Sequence, residues 1–212
     1  AEELAAVKRI IVQNVASSGH AVLNAADPLV VDMAEHCPGS VIFFARDNLH
    51  HPVLATHHAQ HKRVIYLQGQ HIVASGENGE HKIALKNIPL TQDGSIYFQI
   101  ENAMAAIGAA WALGFDWKVI REGLSSFISD SQTAPGRFNL FNYRNATLIA
   151  DYGHNPDAIQ ALVSAIDNIP SKKRSVVISA AGDRRDEDIR LQTRIIGDAF
   201  DIVLLYRDLC QR

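Results

Sequence analysis

The pattern of hydrophobic and polar positions changes along the chain, and its first part alternates between helical and strand-like stretches. Residues 1–15 place apolar side chains among charged ones at helical spacing, which predicts an amphipathic N-terminal helix. Two compact apolar runs follow, AVLN at 21–24 and SVIFFA at 40–45, with a helix start at Asp27-Pro28 between them. This alternation of helices and strands predicts an α/β layer.

Residues 63–90 have a different pattern, in which short apolar runs are interrupted by glycines. The runs VIYLQ, HIVAS and KIALK are separated by Gly69, Gly76 and the dipeptide Asn78-Gly79. An Asn-Gly pair between two apolar runs is a strong signal for a two-residue hairpin turn. We therefore predict an antiparallel meander here.

An alanine-rich segment and a second helical segment close the first half of the chain. Residues 101–114 (ENAMAAIGAAWALG) have apolar or small side chains on every side, which predicts a buried helix. Residues 116–127 predict another helix, which begins after Gly114.

The pattern restarts after a connector at 129–137 (SDSQTAPGR), which is rich in Ser, Thr, Pro and Gly. Strand-like runs follow at 138–151 (FNLFNY and ATLIAD), 175–180 (SVVISA) and 202–206 (IVLLY), with one helix beginning at Pro156 and another in DEDIRLQTRIIGDAF. Strands of nearly continuous Val, Ile and Leu that are joined by helices predict a parallel sheet buried on both faces.

Composition and charge exclude several classes of protein. The 212 residues are 47% hydrophobic and 20% charged, as in an ordinary globular protein. Twenty Lys and Arg against 23 Asp and Glu give a net charge of −3, which argues against general binding to nucleic acid or an anionic membrane. Cys37 and Cys210 form no CxxC motif, so we expect neither a disulfide framework nor a zinc finger, and we expect a cytoplasmic protein. Because the chain begins at Ala1 without Met, we expect it to be a piece of a longer protein.

Two loops that follow strand-like runs are candidates for chemistry, because ligands of parallel α/β sheets bind beyond the carboxyl ends of the strands. In the first loop, DYGHNPDA, the residues Gly153, Asn155 and Pro156 are explained by a turn and a helix N-cap. Asp151 and His154 are not explained in this way. They are either ligand-binding residues or ordinary turn residues.

The second loop is AAGDRRDEDI. Its acidic residues at 186–188 suit the first turn of a helix. Asp183 and the pair Arg184-Arg185 suit a site that holds a phosphate or carboxylate, because guanidinium groups bind such anions through two parallel hydrogen bonds. A solvated run of charges is the alternative.

A histidine-rich window raises the alternative of a metal site. The window runs from His50 to His61 and contains five histidines, at positions 50, 51, 57, 58 and 61. His57 and His61 would share one face of a helix. The window contains no Cys and no carboxylate, so we expect a solvated surface loop instead of a metal site. The chain also contains neither a GxxxxGK[ST] phosphate loop nor a GxSxG nucleophile motif.

Four segments taken together resemble a known family. The segments IENAMAAIGAAWALG, APGRFNLF, LIADYGHNPDA and SAAGDRRDEDI, in this order and spacing, resemble the Mur ligase family of ATP-dependent amide-forming ligases, and within it the Mur-ligase-like C-terminal region of the cyanophycin synthetases. AVLNAADPLV is similar to the VxNADDP segment of the family's central ATPase domain, with Ala26 where an acid is common. The resemblance implies an α/β fold, with the C-terminal part of that ATPase domain at 1–132 and an incomplete Rossmann-like parallel lobe at 133–212.

The resemblance also implies roles for single residues. Asn102 would touch the adenine of ATP, Asp151 would contact its ribose, and Arg137 would reach its phosphates or ribose. His154 and Asn155 would line the nucleotide side of a cleft.

Three further residues have implied roles at the reacting end. Asp183 and Arg184 would face the place where phosphate and the incoming substrate meet, and Lys8 stands where the family often carries a carbamylated lysine that helps to hold a metal ion. The implied catalytic residues are therefore Arg137, His154, Asp183 and Arg184, and the implied nucleotide-binding residues are Asn102, Arg137, Asp151 and Asn155.

The implied activity is an ATP-dependent ligation that uses ATP and Mg²⁺. A cyanophycin synthetase adds arginine to the β-carboxylate of polyaspartate through an acyl phosphate, and its ATPase and ATP-grasp regions would be partners in the same polypeptide, in a homo-oligomer. Without a phosphate loop, we expect the 212 residues alone to be inactive. A peptidoglycan or folylpolyglutamate type of Mur ligase, or a non-catalytic module that binds a nucleotide or peptide, are the alternatives.

Overall fold

The computed structural model describes residues 2–179 and 185–206. The chain divides between Ile128 and Ser129 into two compact units. Within the described residues, no helix is both long and apolar enough to cross a lipid bilayer.

The first unit contains five helices and five strands. In chain order they are α1 (Glu2–Gln13), β1 (His20–Asn24), α2 (Pro28–Val31), β2 (Ser40–Ala45), α3 (Pro52–Ala59), β3 (Val64–Gln68), β4 (His71–Gly76), β5 (Gly79–Ala84), α4 (Tyr97–Ala112) and α5 (Trp117–Ser126). Short 3₁₀ turns occur at Asp32–His36, Leu85–Asn87 and Pro89–Thr91.

All five strands belong to one sheet, in the order β1-β2-β3-β4-β5. The first three strands are parallel, and β4 and β5 extend the sheet as the antiparallel meander that the glycine pattern predicts. The hairpin turn lies one residue earlier than predicted, at Glu77 and Asn78, because Gly79 already pairs with Gly76. Gly79 has a φ of +103°, which favours glycine at this position.

Helices cover both faces of this sheet. One face packs on α4 and α5, where Ile65, Ile100 and Met104 are almost completely buried. The opposite face packs on the first three helices, where Leu54 and Val64 are fully buried. The alanine-rich helix α4 is therefore buried on its sheet-facing side, as predicted, although its other side reaches the surface.

The second unit contains a hairpin, two helices and a pair of parallel strands. In chain order they are β6 (Asn139–Tyr143), β7 (Ala146–Ala150), α6 (Pro156–Ile166), β8 (Ser175–Ile178), α7 (Asp186–Ala199) and β9 (Ile202–Leu205). β6 and β7 pair antiparallel, and β8 and β9 pair in parallel across α7. Apolar residues of α6 and α7 form the core of this unit against β8.

The prediction that these parallel strands are buried on both faces is wrong. Val176 and Ile178 pack against the helices, but Val177 on the other face is 64% exposed and its neighbour Leu204 is 56% exposed. Within the described residues β8 and β9 pair only with each other, and the exposure of Val177 and Leu204 shows that this face is left uncovered. A run of Val, Ile and Leu therefore identifies the strands but does not show which faces are covered.

Candidate functional site

Two loops of the second unit meet at the start of β6 and the end of β7. We call residues 136–139 and 151–155 the loop cluster. The Tyr152 N–H donates to the Gly136 carbonyl over 2.8 Å, and the Phe138 N–H donates to Asp151 Oδ2 over 2.9 Å. The cluster is therefore held together by hydrogen bonds between residues that are thirteen or more positions apart in sequence.

Asp151 is the centre of these contacts. Its second oxygen, Oδ1, accepts from the Gly153 N–H over 2.6 Å, so both carboxylate oxygens bind backbone N–H groups. A Cβ at Gly153 would lie 2.8 Å from that oxygen, which explains the glycine at this position. The strand end thus has a local use for a carboxylate that the sequence pattern does not reveal.

Asn139, the first residue of β6, fixes the first loop of the cluster through its side chain. The sequence patterns do not identify this residue. It is only 1% exposed, its Oδ1 accepts from the Gly136 N–H over 2.7 Å, and its Nδ2 donates to the Ala134 carbonyl over 3.0 Å. The one signal in the sequence is an amide side chain at the first position of an apolar strand. A buried amide of this kind fixes the loop, because leaving its polar atoms unpaired would be costly.

Arg137 lies in this loop with its side chain exposed. Its guanidinium carbon is 5.9 Å from the centre of the Tyr152 ring, at the limit of a cation–π contact, and its carbonyl accepts from Ser129 Oγ. The backbone of Arg137 is therefore fixed while its charged group stays available to an anion.

His154 and Asn155 complete the cluster. His154 Nδ1 lies 2.9 Å from the Tyr152 carbonyl, and because a carbonyl only accepts, Nδ1 carries the hydrogen. In neutral His154 the other nitrogen, Nε2, is then an acceptor. Asn155 Oδ1 accepts from the Ala158 N–H over 2.8 Å and caps helix α6, as its position before Pro156 predicts.

The second candidate loop is described only in part. Asp183 and Arg184 lie outside the described residues. Arg185 is described, and its Nε and Nη2 donate to the two carboxylate oxygens of Asp188 over 3.0 and 2.9 Å. This pairing raises the pKa of Arg185. The Arg185 guanidinium is thus already bound to a carboxylate, whereas a phosphate site would present a free guanidinium.

In the first unit, Asn102 lies exposed on α4, and its Nδ2 donates to Gln99 Oε1 over 3.0 Å. Helix α4 also carries Glu101, and Arg46 directly follows β2. The sequence patterns identify neither of these charged residues. The Arg46 guanidinium stacks over the Tyr97 ring at 4.6 Å. Burial raises the pKa of the Glu101 carboxyl, although the charge of Arg46 acts in the opposite direction.

Lys8 lies exposed on α1. Within the described residues, no three His, Cys, Asp or Glu side chains are grouped so that they could hold a metal ion. The described residues therefore provide no group of metal ligands to accompany Lys8, for which the resemblance implies carbamylation.

The histidine-rich window is not a solvated loop, and that expectation is wrong for its central part. Residues Pro52–Ala59 form α3, and His57 is 9% exposed. The His57 ring packs against the Phe43 ring in a T-shaped arrangement with 4.9 Å between the ring centres, and its Nε2 donates to the Val41 carbonyl over 2.9 Å. Burial lowers the pKa of His57. This histidine is a core residue whose polar atom is satisfied by the neighbouring strand.

Solved structures with the same fold support the α/β architecture. The chain is 18% identical to a crystal structure of MurF from Acinetobacter baumannii, with a TM-score of 0.66 over 95% of this chain and 42% of that chain. It is 20% identical to folylpolyglutamate synthase of Mycobacterium tuberculosis complexed with ADP and AMPPCP, with a TM-score of 0.66 over 96% of this chain and 42% of that chain.

Sequence comparison matches part of the chain to a family model and nearly all of it to cyanophycin synthetases. Residues 136–212 match the model described as Mur ligase, glutamate ligase domain. The chain is 36% identical to cyanophycin synthetase of Geminocystis herdmanii and 35% identical to that of Crocosphaera subtropica, in both cases over 98% of this chain and 24% of the relative. The chain thus spans about a quarter of the length of these curated relatives. Residues 136–212 are therefore similar to the glutamate ligase domain of Mur ligases, and the chain is similar to cyanophycin synthetases along nearly its whole length.

Proposed function

We propose that this chain is part of an ATP-dependent carboxylate–amine ligase of the cyanophycin synthetase type. The observation that carries the proposal is the identity of 33 to 36% to five cyanophycin synthetases over 98% of the chain. A diaminopimelate-adding ligase of Fusobacterium nucleatum is 31% identical but matches only 52% of the chain. This difference in coverage favours arginine transfer to polyaspartate over peptidoglycan chemistry.

The proposed reaction solves a chemical problem with ATP. A carboxylate is a poor acyl donor, so the γ-phosphoryl group of ATP is first transferred to the β-carboxylate of an aspartate. The α-amine of arginine then attacks the acyl phosphate, the amide bond forms, and phosphate leaves with the electron pair of the broken C–O bond. Such a reaction needs positioning and cationic charge from the protein.

The loop cluster has features that suit the nucleotide side of this reaction. Its Arg137 guanidinium is exposed on a backbone that is held by hydrogen bonds, which suits binding to phosphate or ribose oxygens. We propose that Asp151 contacts the ribose while it holds the cluster together. We also propose that Asn155 and the free Nε2 of His154 line the nucleotide cleft.

The remaining proposed roles lie elsewhere in the chain. Asn102 is exposed on α4, as a contact to adenine requires. Asp183 and Arg184 stay proposals for the phosphate and substrate side. ATP is accompanied by Mg²⁺ in this chemistry, but the described residues provide no group of three suitable ligands, so we derive no step through the metal.

The proposal is tested by exchanging the amino acid in an assay of the complete protein that contains this chain. With ATP and a polyaspartate acceptor, we expect release of ADP to depend on arginine and not on glutamate or diaminopimelate. Activity with a muramyl peptide or a folate acceptor, but not with polyaspartate, would contradict the proposal. The 212-residue chain alone contains no GxxxxGK[ST] motif and serves as the control that we expect to be inactive.

A further inference from the structure

A cleft of about 640 Å³ opens in the first unit at the edge where its parallel strands begin. Its wall includes His20 and Ser40, the first residues of β1 and β2, and Arg63, which directly precedes β3. Trp111 near the end of α4 forms another part of the wall. The volume lies in the range of small-ligand sites.

This cleft is separate from the part of α4 that carries Asn102. Trp111 follows Asn102 by nine positions, which corresponds to about 13 Å along a helix. The start of α4 meets Arg46, which follows the carboxyl end of β2, whereas Trp111 meets Arg63 before the amino end of β3. The cleft therefore lies at the opposite edge of the sheet from the proposed adenine contact.

Charged side chains of both signs line the cleft. They are the cations Lys62 and Arg63 and the carboxylates of Glu35 and Glu77. Within residues 2–179 and 185–206, none of these four forms an ion pair. Two cations and two carboxylates that face one cavity without pairing to each other suit a ligand that itself carries both charges.

Arg63 is held in a fixed position. Its guanidinium carbon lies 4.7 Å from the centre of the Trp111 ring, and Nη1 donates to the Trp111 carbonyl over 3.3 Å and approaches His20 Nε2 at 3.5 Å. Burial and the charge of Arg63 lower the pKa of His20. Because a guanidinium only donates, His20 Nε2 is the acceptor in this contact. Trp111 in turn packs closely on Gly76, where an added Cβ would lie 3.1 Å from the indole ring.

The rest of the Arg63 guanidinium is available. Nε and Nη2 make no hydrogen bond to the residues that the structure describes, because both contacts of the group involve Nη1. A half-buried guanidinium that is already oriented, with two nitrogens unused, binds a carboxylate at a low entropic cost.

We propose that this cleft binds a zwitterion in which a carboxylate and a guanidinium are separated by an aliphatic stem. Arg63 and Lys62 hold the carboxylate, Glu77 and Glu35 attract the guanidinium, and the stem lies against Trp111. Arginine is the ligand with this chemistry, either free or joined through its α-amine to a peptide; the choice of arginine rests on the proposed ligase function. The cleft would then be a second arginine-binding position, separate from the site of ligation.

The test is a binding titration of the chain, followed by the indole N–H signal of Trp111 in heteronuclear NMR. The probes are L-arginine, N-acetyl-L-arginine, agmatine, which lacks the carboxylate, and N-acetyl-L-citrulline, which lacks the side-chain charge. We expect one of the two arginine probes to saturate, and agmatine and the citrulline probe to bind at least about tenfold more weakly. Stronger binding of L-arginine identifies the free amino acid as the ligand, and stronger binding of N-acetyl-L-arginine identifies arginine in amide linkage.

Three variants distinguish the cleft from the general surface. Glu77→Gln, in an exposed turn, and Arg63→Lys should each weaken binding at least about tenfold. Glu122→Gln is the control, since Glu122 is exposed on α5 and pairs with Lys118 outside the cleft.

Absence of saturation up to about 10 mM, agmatine binding equal to that of arginine, or unchanged binding by Glu77→Gln would overturn the proposal. These measurements need no ATP, so they stand or fall independently of the ligation assay.

Discussion

Residues of the loop cluster have both a structural role and a proposed role in nucleotide binding. Substitutions can measure the two roles separately, as a change in stability and a change in kinetics. Asp151→Asn removes one of the two acceptors for the Phe138 and Gly153 N–H groups and places an NH₂ opposite a donor. We expect a loss of about 1–3 kcal/mol in the free energy of unfolding, together with a higher KM for ATP in the complete protein. Thermal unfolding and steady-state kinetics measure the two effects.

The control for this substitution is Asp157→Asn, because Asp157 lies in the first turn of α6 and is exposed. It should change stability by less than about 0.5 kcal/mol. Full stability of Asp151→Asn would show that the two hydrogen bonds contribute little, and an unchanged KM for ATP would remove Asp151 from the nucleotide site.

Arg137→Ala separates charge from structure more cleanly. Its guanidinium makes only a distant contact with Tyr152, so we expect the free energy of unfolding to change by less than about 0.5 kcal/mol. Turnover of the complete protein should fall at least about tenfold, because a cation near the developing phosphate charge is lost. Arg144→Ala is the matched control, since Arg144 also lies over a tyrosine ring, that of Tyr143, in the β6–β7 turn. Equal turnover of the two variants would make Arg137 an ordinary surface residue.

Buried His57 makes the stability of the first unit depend on pH. Because burial lowers its pKa below the ordinary value of about 6.5, the unfolded chain binds more protons than the folded chain as the pH falls below that value. The contribution of His57 to stability is therefore retained above pH ~6.5 and lost as the pH falls through the folded pKa.

We expect His57→Gln to flatten the decrease in Tm between pH ~7.5 and pH ~5.5, and His61→Gln, in the exposed neighbour, to leave it as it is. The same slope in His57→Gln and the unsubstituted chain would show that His57 does not titrate in this range.

For helices and strands, the hydrophobic pattern predicted where an element lies along the chain better than it predicted which faces of the element are buried. SVIFFA predicted β2 with the bounds that the structure has, since a short apolar run between polar turns leaves little choice of register. Helix α4 begins at Tyr97, four residues before the predicted start, because the preceding Ile96 gives no side-chain cap to mark it. The exposure of the outer face of β8 and β9 could not be predicted, because a run of hydrophobic residues does not show which elements pack against the strand.

The packing of α4 on the sheet gives a prediction at this scale. A Cβ at Gly108 would lie 2.6 Å from Val22 Cγ1, so Gly108→Ala should reduce the free energy of unfolding by about 1–3 kcal/mol despite the higher helix propensity of alanine. Gly123→Ala is the control, because nothing lies within 4 Å of its added Cβ and α5 should gain about 0.5 kcal/mol. Chemical denaturation measures both. A stabilised Gly108→Ala would show that helix and sheet can move apart at no cost.

For the whole molecule, the order of motifs predicted the similarity to Mur ligases and cyanophycin synthetases. The structure adds the hydrogen bonds that hold the loop cluster together. The sequence placed Arg137, Asp151, His154 and Asn155 in one site through resemblance, and these residues do lie in one loop cluster. It did not reveal Asn139 or the second use of Asp151, because a hydrogen bond between loops leaves no periodic pattern. Their roles in binding a nucleotide stay predictions.

The most direct test of the ligase account is mass analysis of the product made by the complete protein from ATP, arginine and a polyaspartate acceptor. The account predicts arginine residues in amide linkage to β-carboxylates of the acceptor and one ADP and one phosphate per arginine added. At equal reaction times, Arg137→Ala should form at least about tenfold less product, and Arg144→Ala should form as much as the unsubstituted protein. An acceptor that gains no arginine while ATP is consumed, or that gains another amino acid instead, would contradict the account.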